Sequence, residues 1–351
     1  MKKFIYLVIY VLFVYSCICV DINPNYSGYE IPFIGDYLVH NLNVKTTRIK
    51  DINHKQHDLY NKLDDTQKVV YDALLTQSID ILEGNANTIS VYLTLDTLGF
   101  KPNTKGYRGI KKQWQDYFYE DLNIETILTA LKSDYGYYAW WYGGTYVYQT
   151  NFVPIITNGD YSKSIVEIEI KSNASNDAYY INDSLLASAQ EAYNNAKEVA
   201  ESAKEMPEYD KMAYFRDYLI NTSEYDYDAA EYDTNCGISS SCDYKKYIKS
   251  HSFINMFDNN PDTKVVCDGY AKSFLLLCDL AGIENCYYVE GTEGGEAHAW
   301  NKYYIEEDVY LIDVTFYGGG IDSYMVQIDD QSLYTLRTYY SEYNYVENTI
   351  D

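Results

Sequence analysis

The chain has 351 residues, enough for two domains that each bury a core, and its 47% hydrophobic and 23% charged content excludes a disordered polymer. Its formal net charge is −25, with 52 acidic against 27 basic side chains. So acidic a surface repels phosphate backbones and anionic lipid heads, and sets nucleic-acid binding aside.

The first residues read as an export signal. Lys2 and Lys3 precede an apolar run from Phe4 to Val20, and polar residues begin at Asp21. Cleavage after Ser16 or Cys19 suits this layout and makes residues 1–19 a signal peptide, with the mature chain secreted or at the cell surface. A membrane enters only if the segment stays uncleaved as an anchor, for which the run is short.

A helix is predicted over Asp65–Leu82, where Val69, Val70, Ala73, Leu74 and Ile81 recur at helical spacing. Asp64 or Asp65 caps its start and Gly84 ends it. Val91–Leu95 alternates as a strand, and Asn123–Lys132 reads as a helix. A dense aromatic cluster occupies Tyr137–Tyr142. Strands are predicted at Phe152–Ile156 and Ile165–Ile170. A long helix is predicted from Ser184 to about Glu205, rich in Ala, Glu and Lys, and Pro207 breaks it before another from Tyr209 to Ile220. The boundary is placed there: residues 20–206 form an accessory mixed α/β region and 207–351 a second domain. Residues 221–262 look irregular apart from a short helix at Tyr244–Lys249. The 43 tyrosines, against 11 phenylalanines, form no repeat and are read as spread over core and surface.

The segment that carries chemistry is Val265-Val-Cys-Asp-Gly-Tyr-Ala. Ala271, Phe274, Leu275 and Cys278 follow Cys267 at helical spacing and Gly282 provides a stop, so Cys267 sits at the N-terminus of a helix reaching about Ala281. The orphan N–H groups and dipole there favour a thiolate. Asp268 opposes it and is read as a surface or helix-start residue. Gly269 permits close approach of backbone or ligand. Two strands follow, Glu296–Ile305 and Val309–Phe316, with Glu306-Glu307 between them. A two-residue loop pairs Tyr304 with Val309 and sets His298 diagonal to Asp313 on one face, and a register shifted by one full pair sets them directly opposite. A three-residue loop without a bulge would put them on opposite faces. Cys267, His298 and Asp313 then supply a nucleophile, a base and an orienting acid.

Val-Cys-Asp-Gly-Tyr-Ala, His-Ala-Trp-Asn and Ile-Asp-Val-Thr-Phe, in this order and spacing, resemble the core of the transglutaminase-like superfamily. The resemblance covers about residues 208–330, because Tyr214–Tyr227 is also similar to the helix and Tyr-Asp stretch upstream of the family's cysteine. It implies an α+β fold with a papain-like core, in which a helix carrying Cys267 packs on an antiparallel sheet carrying His298 and Asp313. It also implies catalysis by Cys267, His298 and Asp313 on a protein, peptide or cell-wall amide, by hydrolysis or by transfer to an amine. Tyr270, Trp300 and Gly269 lie near that site. The family's oxyanion donor is open here, with the Cys267 N–H, His251 and Ser252 as candidates. A non-catalytic module binding peptide or glycan is the alternative.

No metal or cofactor is expected. Cys236 and Cys242 lack neighbouring histidines, and the acidic stretch from Glu224 to Asp233 lacks a calcium-loop pattern. Of seven cysteines, Cys17 and Cys19 lie in the signal region. The other five allow bridges Cys236–Cys242 and Cys278–Cys286 and leave Cys267 over. Buried free thiols are an equal reading of Cys278 and Cys286.

Overall fold

Short-range chemistry sets most element boundaries. In the computed structural model, which describes residues 46–55, 58–104, 106–142, 146–155, 160–172, 181–236, 248–293, 295–305, 308–315, 326–328 and 345–347, the first long helix is α1 (Asp65–Leu82). Asp64 accepts from the Gln67 N–H while the Gln67 side chain returns to the Asp64 N–H, a reciprocal cap that satisfies two orphan donors. Strand β1 (Ile89–Thr94) buries Ile89, Val91 and Leu93 in strict alternation. Helix α2 (Tyr107–Glu120) has no counterpart among the expected elements. It buries Ile110, Trp114 and Phe118, one residue every four, and each burial is worth about 1.5–3 kcal/mol. Helix α3 (Ile124–Asp134) is capped by Asn123, which takes the left-handed backbone that Asn tolerates.

Strands β2 (Tyr146–Val153) and β3 (Ile165–Ser172) complete a three-stranded antiparallel sheet of order β1-β3-β2. Strand β2 starts earlier than expected because its whole length, Tyr146 to Val153, finds partners on β3. Pro207 makes the turn between α4 (Asp183–Ser202) and α5 (Glu208–Thr222).

Beyond α5 come β4 (Glu224–Tyr225), α6 (Tyr227–Cys236), the one-turn helix α7 (Phe253–Met256) and β5 (Lys264–Val265). Strands β4 and β5 pair in parallel, Tyr225 against Val265. Helix α8 (Cys267–Leu280) leads to β6 (Cys286–Glu293), β7 (Glu296–Ile305), β8 (Asp308–Ile312), β9 (Val326–Ile328) and β10 (Tyr345–Glu347). These five strands form an antiparallel sheet of order β10-β6-β7-β8-β9. Helix α8 packs on β6 and β7 and is wrapped by α4, α5 and α7, and Asn301 of β7 donates to the Ala271 carbonyl at 3.0 Å. The fold is thus α+β with antiparallel sheets. Residues 44–351 form one compact unit, and one hydrophobic cluster runs across Pro207, from Leu63 to Val314. The export signal lies outside the described residues, as do residues 244–247 of the short helix expected at Tyr244–Lys249; Ile248 and Lys249 fall in a 3-10 turn, Ile248–His251. Among those described, no helix is long and apolar enough to cross a membrane.

The interior holds many acids, and tyrosines answer them. The Tyr71 hydroxyl donates to Asp134 at 2.8 Å and the Tyr137 hydroxyl to Asp279 at 2.8 Å. Lys55 reaches from the start of the unit to hydrogen-bond both Asp279 of α8 and the carbonyl of Cys286. Asp58 and Asp134 lie close to each other, each 3% exposed. Burial pushes Asp58 up to about 7, with repulsion from Asp134 adding, and burial raises Asp134 to about 6 against its hydrogen bonds from the Leu59 and Tyr60 N–H groups. A carboxyl whose folded pKa is raised takes up a proton on folding. The stability linked to it is full below the unfolded value near 3.8 and is lost as pH rises through about 7. Thermal unfolding from pH 4 to 8 is therefore expected to show a falling midpoint for the wild type. Asp58→Asn, which needs no proton, is expected to flatten that fall and to melt higher than wild type at pH 8.

Candidate functional site

Cys267 is the first residue of α8, with Val266 as its N-cap, and its free thiol is half-buried. The chain reaches that point under tight control. The Val266 N–H donates to the Ser250 carbonyl at 3.0 Å, and one turn on, Gly269 passes against the same carbonyl. A β-carbon on Gly269 would lie 2.5 Å from that oxygen and 2.3 Å from Cγ1 of Val265. Gly269 therefore serves close approach of backbone under the helix start.

Parallel pairing with β5 carries Tyr225 to the same place. The Asp226 N–H donates to the Val265 carbonyl at 3.0 Å, and the Asp226 carboxylate accepts from Ser250 Oγ at 2.8 Å and from the Ala229 N–H at 3.0 Å. Tyr270 of α8 donates its hydroxyl to the Ser223 carbonyl at 2.6 Å, so it anchors the residue before β4 from within the core. Held this way, the Tyr225 hydroxyl comes beside Cys267. Burial raises its pKa, and the charge of Cys267 raises it further, so the phenol keeps its proton. Tyr225 is the residue the sequence reading missed. The Tyr-Asp stretch upstream of the cysteine was the available signal, but only the β4–β5 pairing brings it to the sulfur.

His298 and Asp313 meet as the two-residue loop requires. Tyr304 pairs with Val309 and Asn301 with Ile312, which leaves Asp313 one step past the end of β8, diagonal to His298. His298 Nε2 and Asp313 Oδ2 are 2.6 Å apart. Asp313, 2% exposed, is oriented by Thr315, whose N–H and Oγ1 donate to its other oxygen at 3.0 and 2.5 Å. The Trp300 ring stacks on His298 at 5.9 Å between centroids. Burial pulls the His298 pKa down. The hydrogen bonds to Asp313 and Cys267, with the charges of both, outweigh it and raise it to about 10. The imidazole thus bridges Asp313 and Cys267 as a cation through the neutral range. Glu293 Oε2 lies 3.5 Å from the same Nε2, and the ligand atoms of Glu293, His298 and Asp313 all fall within 4.8 Å of one another. The 2.6 Å contact is that of a shared proton, since atoms on one ion at about 2.0–2.2 Å bonds stand farther apart.

Other expected residues fall elsewhere. Ser252 is an N-cap: its Oγ accepts from the Ile254 N–H at 3.2 Å and donates to the Lys249 carbonyl at 3.2 Å, so it is no oxyanion donor. His251 lies behind Cys267, with Nδ1 3.8 Å from Asp268. Asp268 belongs to a buried network rather than to the surface. Lys272 meets it at 2.8 Å and the Tyr288 hydroxyl at 2.5 Å, and Lys132 pairs with Glu290 beside them at 2.6 Å. Burial alone would push Asp268 up; Lys272, Lys132 and His251 outweigh it and hold the carboxyl below its ordinary range. Cys278 and Cys286 are buried free thiols in contact, the second of the two readings, and burial together with Cys286 pushes the Cys278 thiol up. Cys242 and the Cys236 side chain lie outside the described residues.

No protein-family model matches the chain, and no curated protein matches it.

Gly269→Ala places a methyl where nothing can yield except by moving the helix start. It is expected to cost about 1–3 kcal/mol in urea unfolding. It should also slow alkylation of Cys267 under native conditions, read by mass spectrometry against the wild type.

Proposed function

We propose that the chain is an exported cysteine enzyme of the transglutaminase-like kind that acts on amide bonds, with hydrolysis of a peptide or cell-wall amide as its main reaction. One observation carries the reading: three separate parts of the sequence converge on the Cys267 sulfur. Helix α8 presents the thiol at its N-terminus, β7 presents a charged imidazole backed by a buried carboxylate, and β4 presents a phenol. A structural thiol has no need of such company. The helix-on-antiparallel-sheet arrangement supports a papain-like core for this region, and the apolar leader supports export.

In this reading the Cys267 proton already resides on His298, and the two stand as a thiolate–imidazolium pair. The sulfur attacks the substrate carbonyl, and the oxyanion is met by the Tyr225 hydroxyl and the Cys267 N–H. The C–N bond breaks, the amine leaves with the proton from His298, and a thioester remains. Water then attacks the thioester, passes a proton to His298, and releases the acid and the thiolate; an amine in place of water gives a new amide. Asp313 keeps the imidazole turned toward the sulfur throughout. No cofactor enters the scheme.

Iodoacetamide labelling near neutral pH, mapped by mass spectrometry, is the test. Cys267 is expected to label ahead of the buried Cys278 and Cys286, and His298→Ala is expected to suppress it. A Cys267 that resists label, or is found in a disulfide, would turn the reading to a binding module. On an amide substrate that passes this screen, Tyr225→Phe is expected to lower kcat by about 100- to 1000-fold with KM little changed. Because His298 must carry a proton to the leaving amine, the rate is also expected to fall as pH rises through about 10.

A further inference from the structure

The β6–β7 hairpin brings a second carboxylate to His298. Gly291 stands opposite His298 in the register, and Glu293 follows two residues on along the same face, diagonal to the imidazole. A glycine in the paired position puts no side chain between them. Glu293 Oε2 comes to 3.5 Å from Nε2, the nitrogen that Asp313 approaches to 2.6 Å. The Glu293 side chain is only 11% exposed, so water screens its charge weakly. At that distance, with the Nε2 proton directed to Asp313, Glu293 acts through charge more than through a hydrogen bond.

From this arrangement we infer that Glu293 is a second positioning residue for His298, fixing the imidazolium beside Asp313; the inference rests on the reading of His298 as the proton carrier for Cys267. The groups that face the imidazole come from five elements. They are Asp313 from the end of β8, Glu293 from β6, Cys267 from α8 with Tyr225 of β4 beside it, and Trp300 from β7 itself. Asp313 supplies direction and most of the stabilisation. Glu293 supplies a second anion that keeps the proton on the ring while Cys267 changes charge during acyl transfer. The tyrosine and the tryptophan carry no charge.

The full-length chain, labelled with carbon-13 in its histidine rings, can be titrated by NMR. It has five histidines, and His298 is assigned by its loss in His298→Ala. Glu293→Gln is expected to lower the His298 midpoint by about one unit. Glu293→Asp, which draws the charge back, is expected to lower it less. Glu296→Gln, exposed on the same hairpin, is expected to leave it in place. An unmoved midpoint in Glu293→Gln, or an equal fall in Glu296→Gln, overturns the inference; should Glu293→Gln not fold, an unmoved midpoint in Glu293→Asp does so. The same series in a Cys267→Ala background reads the Glu293–His298 coupling without the thiol. A failure of thiol labelling would thus sink the enzyme reading and leave this result standing.

Discussion

Ser250 and Gly269 set the geometry on which the site depends. The Ser250 carbonyl accepts the Val266 N–H and lies against Gly269, while the Ser250 hydroxyl holds Asp226. One residue therefore ties the start of α8 to the strand that carries Tyr225. Because α8 then packs on β6 and β7, fixing its first turn also fixes the distance from Cys267 to His298. A rigid junction of this kind matters for any nucleophile. Misplacement by about an ångström far from the reacting atoms can cost two orders of magnitude in rate.

The abundance of tyrosine has a physical partner in the abundance of acid. A buried carboxylate needs donors, and the chain has few cations to spare for the purpose. Tyrosine brings a large apolar ring into the core and a hydroxyl that donates at its tip. Asp134 is satisfied by Tyr71 and two backbone N–H groups, Asp279 by Tyr137 and Lys55, Glu167 by Tyr92, and Asp268 by Tyr288 and Lys272. Lys55 joins the polar interior of the first half to α8 and β6, and the hydrophobic cluster is equally continuous. The accessory region is in this sense part of the scaffold under the site.

Where a local rule decides an element, the sequence was legible. The Asp64 cap and the helical spacing behind it gave α1 to the residue, and the hairpin arithmetic placed His298 diagonal to Asp313. Helix α2 was missed because Gly106 offers no side-chain cap and its buried face is only Ile110, Trp114 and Phe118 among polar neighbours. Strand β6 was missed because no regular alternation marks Cys286–Glu293, and its pairing with β7 is what orders it. Tyr225, Thr315 and Glu293 follow the same logic. Each acts on a residue distant in sequence or around a turn, and no periodicity points to it. Ser252 illustrates the reverse case: a serine upstream of the cysteine motif is a candidate donor by residue type, and the next four residues form a helix that uses it as a cap.

The Cys267 sulfur sits in a chain of charge −25, and its immediate neighbours set a different local field. Exposed acids act through water and salt, which screen them beyond about 8–10 Å. The groups at Cys267 act in contact. Asp268, the one acid adjacent in sequence, is turned into a network with Lys272 and Lys132 and so is largely neutralised from behind. In front, His298 carries positive charge because Asp313 outweighs its burial. Along the axis of α8, the unsatisfied N–H groups of the first turn add a fixed partial positive charge. Two short-range positive contributions, beside an acid already neutralised, therefore stand against a distant, screened field of the other sign. Local arrangement, more than overall composition, sets the charge that the sulfur experiences.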